Sequence, residues 1–279
     1  MRQINSMERK NSMNQTCSIG QRDSEKEMLL EKKIKEDCGN IAGIVVLRDG
    51  ITQYEKYFNG CTPYSKIHVY SVTKSILSAL MGIAAGNGQI KSIHQKVLDF
   101  FPEYSAKRGD HTIQSITLEH LLTMTAPYKY GPFPPYVKYF TSQNRVNFTL
   151  DLLGGKGDKG TFRYAPLIGP DLLSGILIKA TGQSVLDFAE ENLFSPLGIK
   201  IRGHLAFRNE KEQMDFNNSI SSDGWAVDPA GVNAGGWGLT LSPADMAKIG
   251  QLYLNGGIWN GRQIVPSEWI DQSTREHSR

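Results

Sequence analysis

The pattern of apolar and polar positions divides the chain into a short β-rich opening and a long helical body. Residues 41–48 and 51–58 are rich in β-branched and aromatic side chains and are joined by Asp49-Gly50. A two-residue turn needs positive φ at both central positions, which Asp-Gly supplies, so the spacing predicts a hairpin. Upstream, Ser24-Glu-Lys-Glu27 has the form of a capping box, with Met28, Leu30 and Ile34 as an apolar stripe. A helix is predicted there to about Glu36, stopped by Cys38-Gly39-Asn40. The segment 71–85 is apolar on most sides and ends at Gly86-Asn87-Gly88, which predicts a helix lying in the domain interior.

Further helices are predicted over 117–124, 170–180, 184–193 and 242–254. Their start signals are Pro170 in a first turn, Ser184 with Asp187, and Ser242 with Pro243 and Asp245; Gly182 and Gly256 supply stops. Trp259-Asn260-Gly261-Arg262 carries a second hairpin signal. Residues 125–160 and 203–236 are rich in Gly, Pro and Asn and read as long connections of the kind that line sites. Residues 1–23 are polar and aperiodic and read as a disordered tail, which leaves one domain over 24–279.

Composition narrows the function classes. With 39% hydrophobic and 21% charged residues, the chain has the balance of a soluble globular protein. Its longest apolar stretch, 76–85, is too short to cross a bilayer. The N-terminal residues contain no apolar core of the signal-peptide kind, so the expectation is a cytoplasmic protein without a membrane partner. A net charge of +3, with no basic run interleaved with aromatics, argues against a nucleic-acid partner. The charged piece 25–37 carries both signs, as a solvated helix face does. Cys17, Cys38 and Cys61 show no CxxC spacing and the histidines no HExxH pair, so neither a metal nor another cofactor is expected. Oligomeric state is not legible.

The candidate chemistry lies at the start of the interior helix. Ser71-Val-Thr-Lys74 is an S-x-x-K tetrad directly after the β-like run His68-Val69-Tyr70. Residues at i and i+3 on a helix share a face, so the two side chains are within reach of each other. A serine hydroxyl is a weak nucleophile until a base takes its proton. A lysine in a partly dry pocket can have a lowered pKa and serve as that base. The helix N-terminus adds positive potential where negative charge develops. An isolated tetrad is better explained by a capping serine and an exposed lysine. Gly155-Lys-Gly157-Asp-Lys-Gly160 spells GxGxxG, but Thr161-Phe-Arg follows it without a helical pattern, and it reads as a loop.

The setting of the tetrad resolves the ambiguity. YSVTKSILSALMGIAAGNGQI resembles the serine-bearing helix of class C β-lactamases, D-alanyl-D-alanine carboxypeptidases and their esterase and amidase relatives. KVLDFFPEY, ITLEHLLTMT, FRYAPLIGPDLLSGILIKATGQSVLDFAEENLFSPLGI and GGWGLTLSPADMAKIGQLYLNGG follow in the order of that family. The GGWGL block is most similar to the branch containing 6-aminohexanoate-dimer hydrolase. The chain is thus identified as a member of the penicillin-recognising serine hydrolases of the β-lactamase superfamily.

The resemblance implies an α+β, β-lactamase/transpeptidase-like fold: an antiparallel sheet flanked by helices, beside a helical domain. It also implies acyl-enzyme chemistry on a small-molecule amide or ester, with Ser71 as nucleophile, Lys74 as base and Tyr164 completing the proton network from the Y-x-N position. Here that motif reads Tyr164-Ala165-Pro166, and proline lacks the side-chain amide that the family asparagine offers a substrate. Trp225 and Asn233 fall in a loop block and are tentative substrate contacts, with ordinary packing an equal explanation.

The family's third motif, K-T-G or H-x-G on a sheet strand, is not found, and Lys179-Ala-Thr-Gly182 is only a near match at a helix end. The expectation is therefore a chain shortened at its C-terminal end, with an incomplete sheet, poor folding and little turnover. The competing reading is a catalytically inactive β-lactamase-like binding or scaffold protein.

Overall fold

The computed structural model describes residues 24–277, so the expected tail over 1–23 lies outside the described residues. Helix α1 spans 24–37 and stops at the turn that Gly39 and Asn40 form. Strands β1 (Gly43–Arg48) and β2 (Ile51–Tyr57) make the expected antiparallel hairpin. Asp49 (φ 54) and Gly50 (φ 76) both occupy the left-handed region that the turn requires. A Lys56–Glu31 ion pair ties the hairpin to α1, and β1 also packs on the later helical residues 243–254.

The helical body follows. Short strand β3 (Ile67–His68) leads into α2 (Val72–Gly86), whose Ile76, Leu77, Leu80, Met81 and Ala84 are fully or almost fully buried. Helix α3 (Leu118–Leu122) precedes α4 (Tyr136–Thr141) and α5 (Arg145–Leu152). Helix α6 (Ile168–Thr181) is buried along ten consecutive residues and is the other centre of the core, contacted by α2, α3 and α5. Helix α7 (Val185–Ala189) is capped by Ser184, which accepts from Asp187 N–H, and continues as a π-helical turn, Glu190–Phe194.

Strand β4 (His204–Leu205), helix α8 (Glu210–Asn218), parallel partner β5 (Trp225–Ala226) and β6 (Thr240–Leu241) come next. Strand β6 pairs antiparallel with β3, which brings residues 235–239 beside the start of α2. Helix α9 (Pro243–Leu254) begins in the expected capping box of Ser242 and Asp245. The expected second hairpin is β7 (Ile258–Trp259) with β8 (Arg262–Gln263). Helix α10 (Ser267–Ser273) seats the Trp269 ring against Gly82 of α2, where a Cβ would collide with it.

The architecture is the α+β class expected. Two details differ. The stretch 125–160 holds α4 and α5, and 203–236 holds α8. Their helical signal is weak because α4 is one and a half turns long and α8 buries only Phe216.

Each sheet among the described residues has two strands. Every second residue of β2 should be covered, yet five of its seven are exposed and the other two half-buried. A two-stranded ribbon is marginal in water, so the hairpin is expected to be less protected than the helical core. Hydrogen exchange followed by mass spectrometry checks this. Amides in α2 and α6 are expected to exchange on the order of 100-fold more slowly than those of β2. Equal protection would show the hairpin to be as stable as the core.

Candidate active site

The site begins with a strained turn. Tyr70, directly before the tetrad, has φ 46, a conformation costly for a bulky side chain. Thr73, fully buried, holds it there: its N–H and Oγ1 both donate to the Tyr70 carbonyl, at 3.2 and 2.6 Å. The turn presents Ser71 exposed at the mouth of α2 while the rest of the helix dives into the core.

One helical turn on, Lys74 Nζ lies 3.0 Å from Ser71 Oγ and donates to the Gly236 carbonyl at 2.7 Å. Tyr164 OH lies 3.2 Å from Ser71 Oγ. The three expected catalytic side chains therefore meet. Burial lowers the Lys74 pKa from its ordinary 10.5 to about 8, and the negative charge of Asp171 opposes part of that fall. Close to half of such amines are neutral near pH 8, as a general base requires.

Tyr164 reaches the serine from an extended segment. Arg163 N–H donates to the Met124 carbonyl at 2.8 Å, and its guanidinium donates to the carbonyls of Tyr130 and Gly131. Beyond Ala165, the Pro166 carbonyl presses on Gly236, where any Cβ would collide with it; Gly235 stands in the same relation to Pro170. The paired glycines thus let the Tyr164 segment and the Lys74 acceptor share one narrow space.

A buried polar network holds that glycine pair. Asp171 Oδ1 accepts from Gly235 N–H at 2.9 Å, and Asp171 Oδ2 accepts from Tyr139 OH at 2.6 Å. Burial raises the Asp171 pKa to about 6, against the lowering effects of Tyr139, Arg145 and the Gly235 amide. At neutral pH it is mostly ionised. Arg145 lies over the Tyr139 ring, 4.9 Å from its centre. On the other side, Gly238 N–H donates to His68 Nε2 at 2.9 Å. Burial pulls the His68 pKa down to about 4, so its ring stays a neutral acceptor.

The other two expected contacts lie elsewhere. Trp225 is fully buried and its Nε1 donates to the Ala234 carbonyl at 2.9 Å. Asn233, also buried, accepts from Leu186 N–H at 3.2 Å. Both shape the loop from inside; neither reaches the Ser71 hydroxyl group, and packing is the role this structure gives them. Sequence reading missed Asp171, Gly236 and His68. Asp171 sits in the first turn of α6, where an acid is ordinary, and the one local signal is the Gly235-Gly236 pair before Trp237, which suits a close approach.

The Beta-lactamase family model matches residues 31–279, nearly the whole chain. The chain belongs to the β-lactamase family. Among curated relatives, it is 22% identical over 265 residues to 6-aminohexanoate-dimer hydrolase of Paenarthrobacter ureafaciens, covering 90% of this chain and 60% of that one. It is 23% identical over 247 residues to lovastatin esterase of Penicillium rubens, covering 76% of this chain and 59% of the relative. The fold is similar to that of a β-lactamase/D-alanine carboxypeptidase from Pseudomonas syringae, with TM-score 0.60 and 18% identity over 89% of this chain and 68% of that one. The chain spans about three fifths of the length of these two curated relatives. Family members of these kinds are hydrolases, which fits a serine brought against a lysine and a tyrosine. No helix among the described residues is long and apolar enough to cross a membrane.

The electrostatics make a direct prediction. If neutral Lys74 activates Ser71, labelling of the serine by a fluorophosphonate should rise about tenfold per pH unit below 8 and level off above it. Asp171→Asn removes the charge that holds the Lys74 pKa up, so the plateau should begin at lower pH. A rate independent of pH between 6 and 9 would contradict the assignment of Lys74 as base.

Proposed function

We propose that this chain carries the active site of a serine hydrolase that cleaves an amide or ester through an acyl-enzyme. The observation that carries the reading is the contact of one hydroxyl with both a partly dry amine, at 3.0 Å, and a phenol, at 3.2 Å. Ser71 Oγ attacks the substrate carbonyl as neutral Lys74 takes its proton. Tyr164 relays a proton to the leaving group, and water then releases the acyl group. The Ser71 N–H is available to the oxyanion: the amides of Val72, Thr73 and Lys74 close the turn onto Val69, Tyr70 and Ser71, and the Ser71 amide takes no part. The 15-residue helix behind it adds favourable potential at the same place.

Labelling by a fluorophosphonate tests the reading, because it needs only an activated serine. The chain is expected to be labelled, with the modified peptide containing Ser71 and no labelling in Ser71→Ala. Lys74→Ala should slow the reaction by about 100- to 10,000-fold. A chain that is folded by circular dichroism yet unlabelled would instead be the catalytically inactive, binding form of the fold.

Selectivity follows from Pro166. Without a side-chain amide there, a substrate amide is left poorly paired, at a cost on the order of 1–3 kcal/mol. Nitrophenyl acetate should therefore acylate Ser71 faster than a chromogenic cephalosporin does. Efficient cephalosporin cleavage would overturn this expectation.

A further inference from the structure

A connected group of aromatic side chains lies beside the turn that carries Ser71. The Tyr70 ring stacks on His68 with centroids 4.0 Å apart, and His68 lies 5.8 Å from the Trp237 ring. Trp237 directly follows Gly236, the acceptor for Lys74, and meets Phe207 at 6.2 Å and Phe140 at 6.0 Å. Both routes out of the Ser71–Lys74 pair, through Tyr70 and through Gly236, thus enter the same group of rings.

The group is not a closed core. Trp237 is 7% exposed, whereas Phe140 is 38% and Tyr70 57% exposed. Large apolar side chains left in contact with water beside a reactive serine mark a surface built to be covered. The backbone beneath Tyr70 is fixed by the Thr73 hydrogen bonds, and the Trp237 ring is anchored where its Nε1 donates to Tyr139 OH at 3.4 Å, which is itself bound to Asp171. A rigid apolar wall binds an apolar group without the entropy cost of ordering itself.

Resting on the hydrolase reading above, we infer that Tyr70, Trp237, Phe207 and Phe140 form the acyl-group subsite, so that this chain prefers substrates whose acyl part is an extended alkyl or aryl group. The acyl rather than the leaving side is assigned because Tyr164, which protonates the leaving group, arrives on a separate segment tied to Tyr130 and Gly131. The four rings themselves carry no charge, and the one cation against them among the described residues, the Arg145 guanidinium 5.7 Å from the Phe140 ring centre, is buried.

The test is the burst of nitrophenolate from nitrophenyl esters of increasing acyl length, which reports acylation of Ser71 even if the acyl-enzyme is released slowly. Acylation is expected to be at least about tenfold faster for hexanoyl than for acetyl ester, each corrected for its hydrolysis by hydroxide. Phe140→Ala and Phe207→Ala, both folded by thermal melt, should each reduce that ratio at least about threefold. Equal or slower acylation by the hexanoyl ester overturns the inference while leaving Ser71 as the nucleophile. A tenfold ratio untouched in both variants would place the apolar subsite elsewhere and equally overturns it. A chain giving no burst with any ester would instead sink the hydrolase reading on which the inference rests.

Discussion

A lysine can act as a base beside a serine only if it is kept partly dry without being paired to a carboxylate. That constraint organises this structure. Lys74 is given a carbonyl, that of Gly236, which fixes the amine 3.0 Å from Ser71 Oγ without stabilising its charge as an ion pair would. The nearest influential carboxylate, Asp171, is bonded to Gly235 N–H and Tyr139 OH and acts on Lys74 through space. Its charge opposes the desolvation that lowers the lysine pKa. The balance of these two effects sets the value near 8.

Much of the remaining architecture serves to place the Gly236 carbonyl. It is pressed by Pro166 from one direction, anchored through Gly235 to α6, and continued through Gly238 to His68 on β3. Strand β3 in turn runs straight into the strained Tyr70 turn that presents Ser71. Ser71, Lys74 and the Gly236 carbonyl thus form a closed loop of contacts through α2, α6 and the β3–β6 pair. Tyr164 is attached to this loop by the same Pro166–Gly236 approach. A Cβ at Gly236 would act on Lys74 and Tyr164 together.

The parts legible in the sequence were those fixed by local chemistry. Asp49-Gly50 announces its turn because few other residue pairs accept two positive φ values, and Ser242 with Asp245 announces α9 because both partners of the capping box lie within four residues. Ser71, Lys74 and Tyr164 were legible from family blocks, and the structure brings them together. What could not be read depends on distant chain. Asp171 reaches Gly235 across 64 residues, and His68 reaches Gly238 across 170, and neither separation leaves a local trace. Trp225 and Asn233 were open to two readings, because polar and aromatic residues in a glycine-rich loop suit either a binding surface or the packing beneath it, and both are buried here. Helix α8 escaped notice because its sequence, EKEQMDFNN, has one buried position and no apolar stripe.

The central claim is that the Lys74 ammonium, held between Ser71 Oγ and the Gly236 carbonyl, is unusually acidic, and direct titration of that amine tests it. In protein labelled with carbon-13 at the lysine side chains, the Lys74 Cε resonance can be assigned by its loss in Lys74→Arg and followed from pH 6 to 11. The midpoint predicted for the folded chain is about 8, against 10.5 for an ordinary lysine. A Lys74 resonance titrating together with the surface lysines near 10.5 would contradict the account.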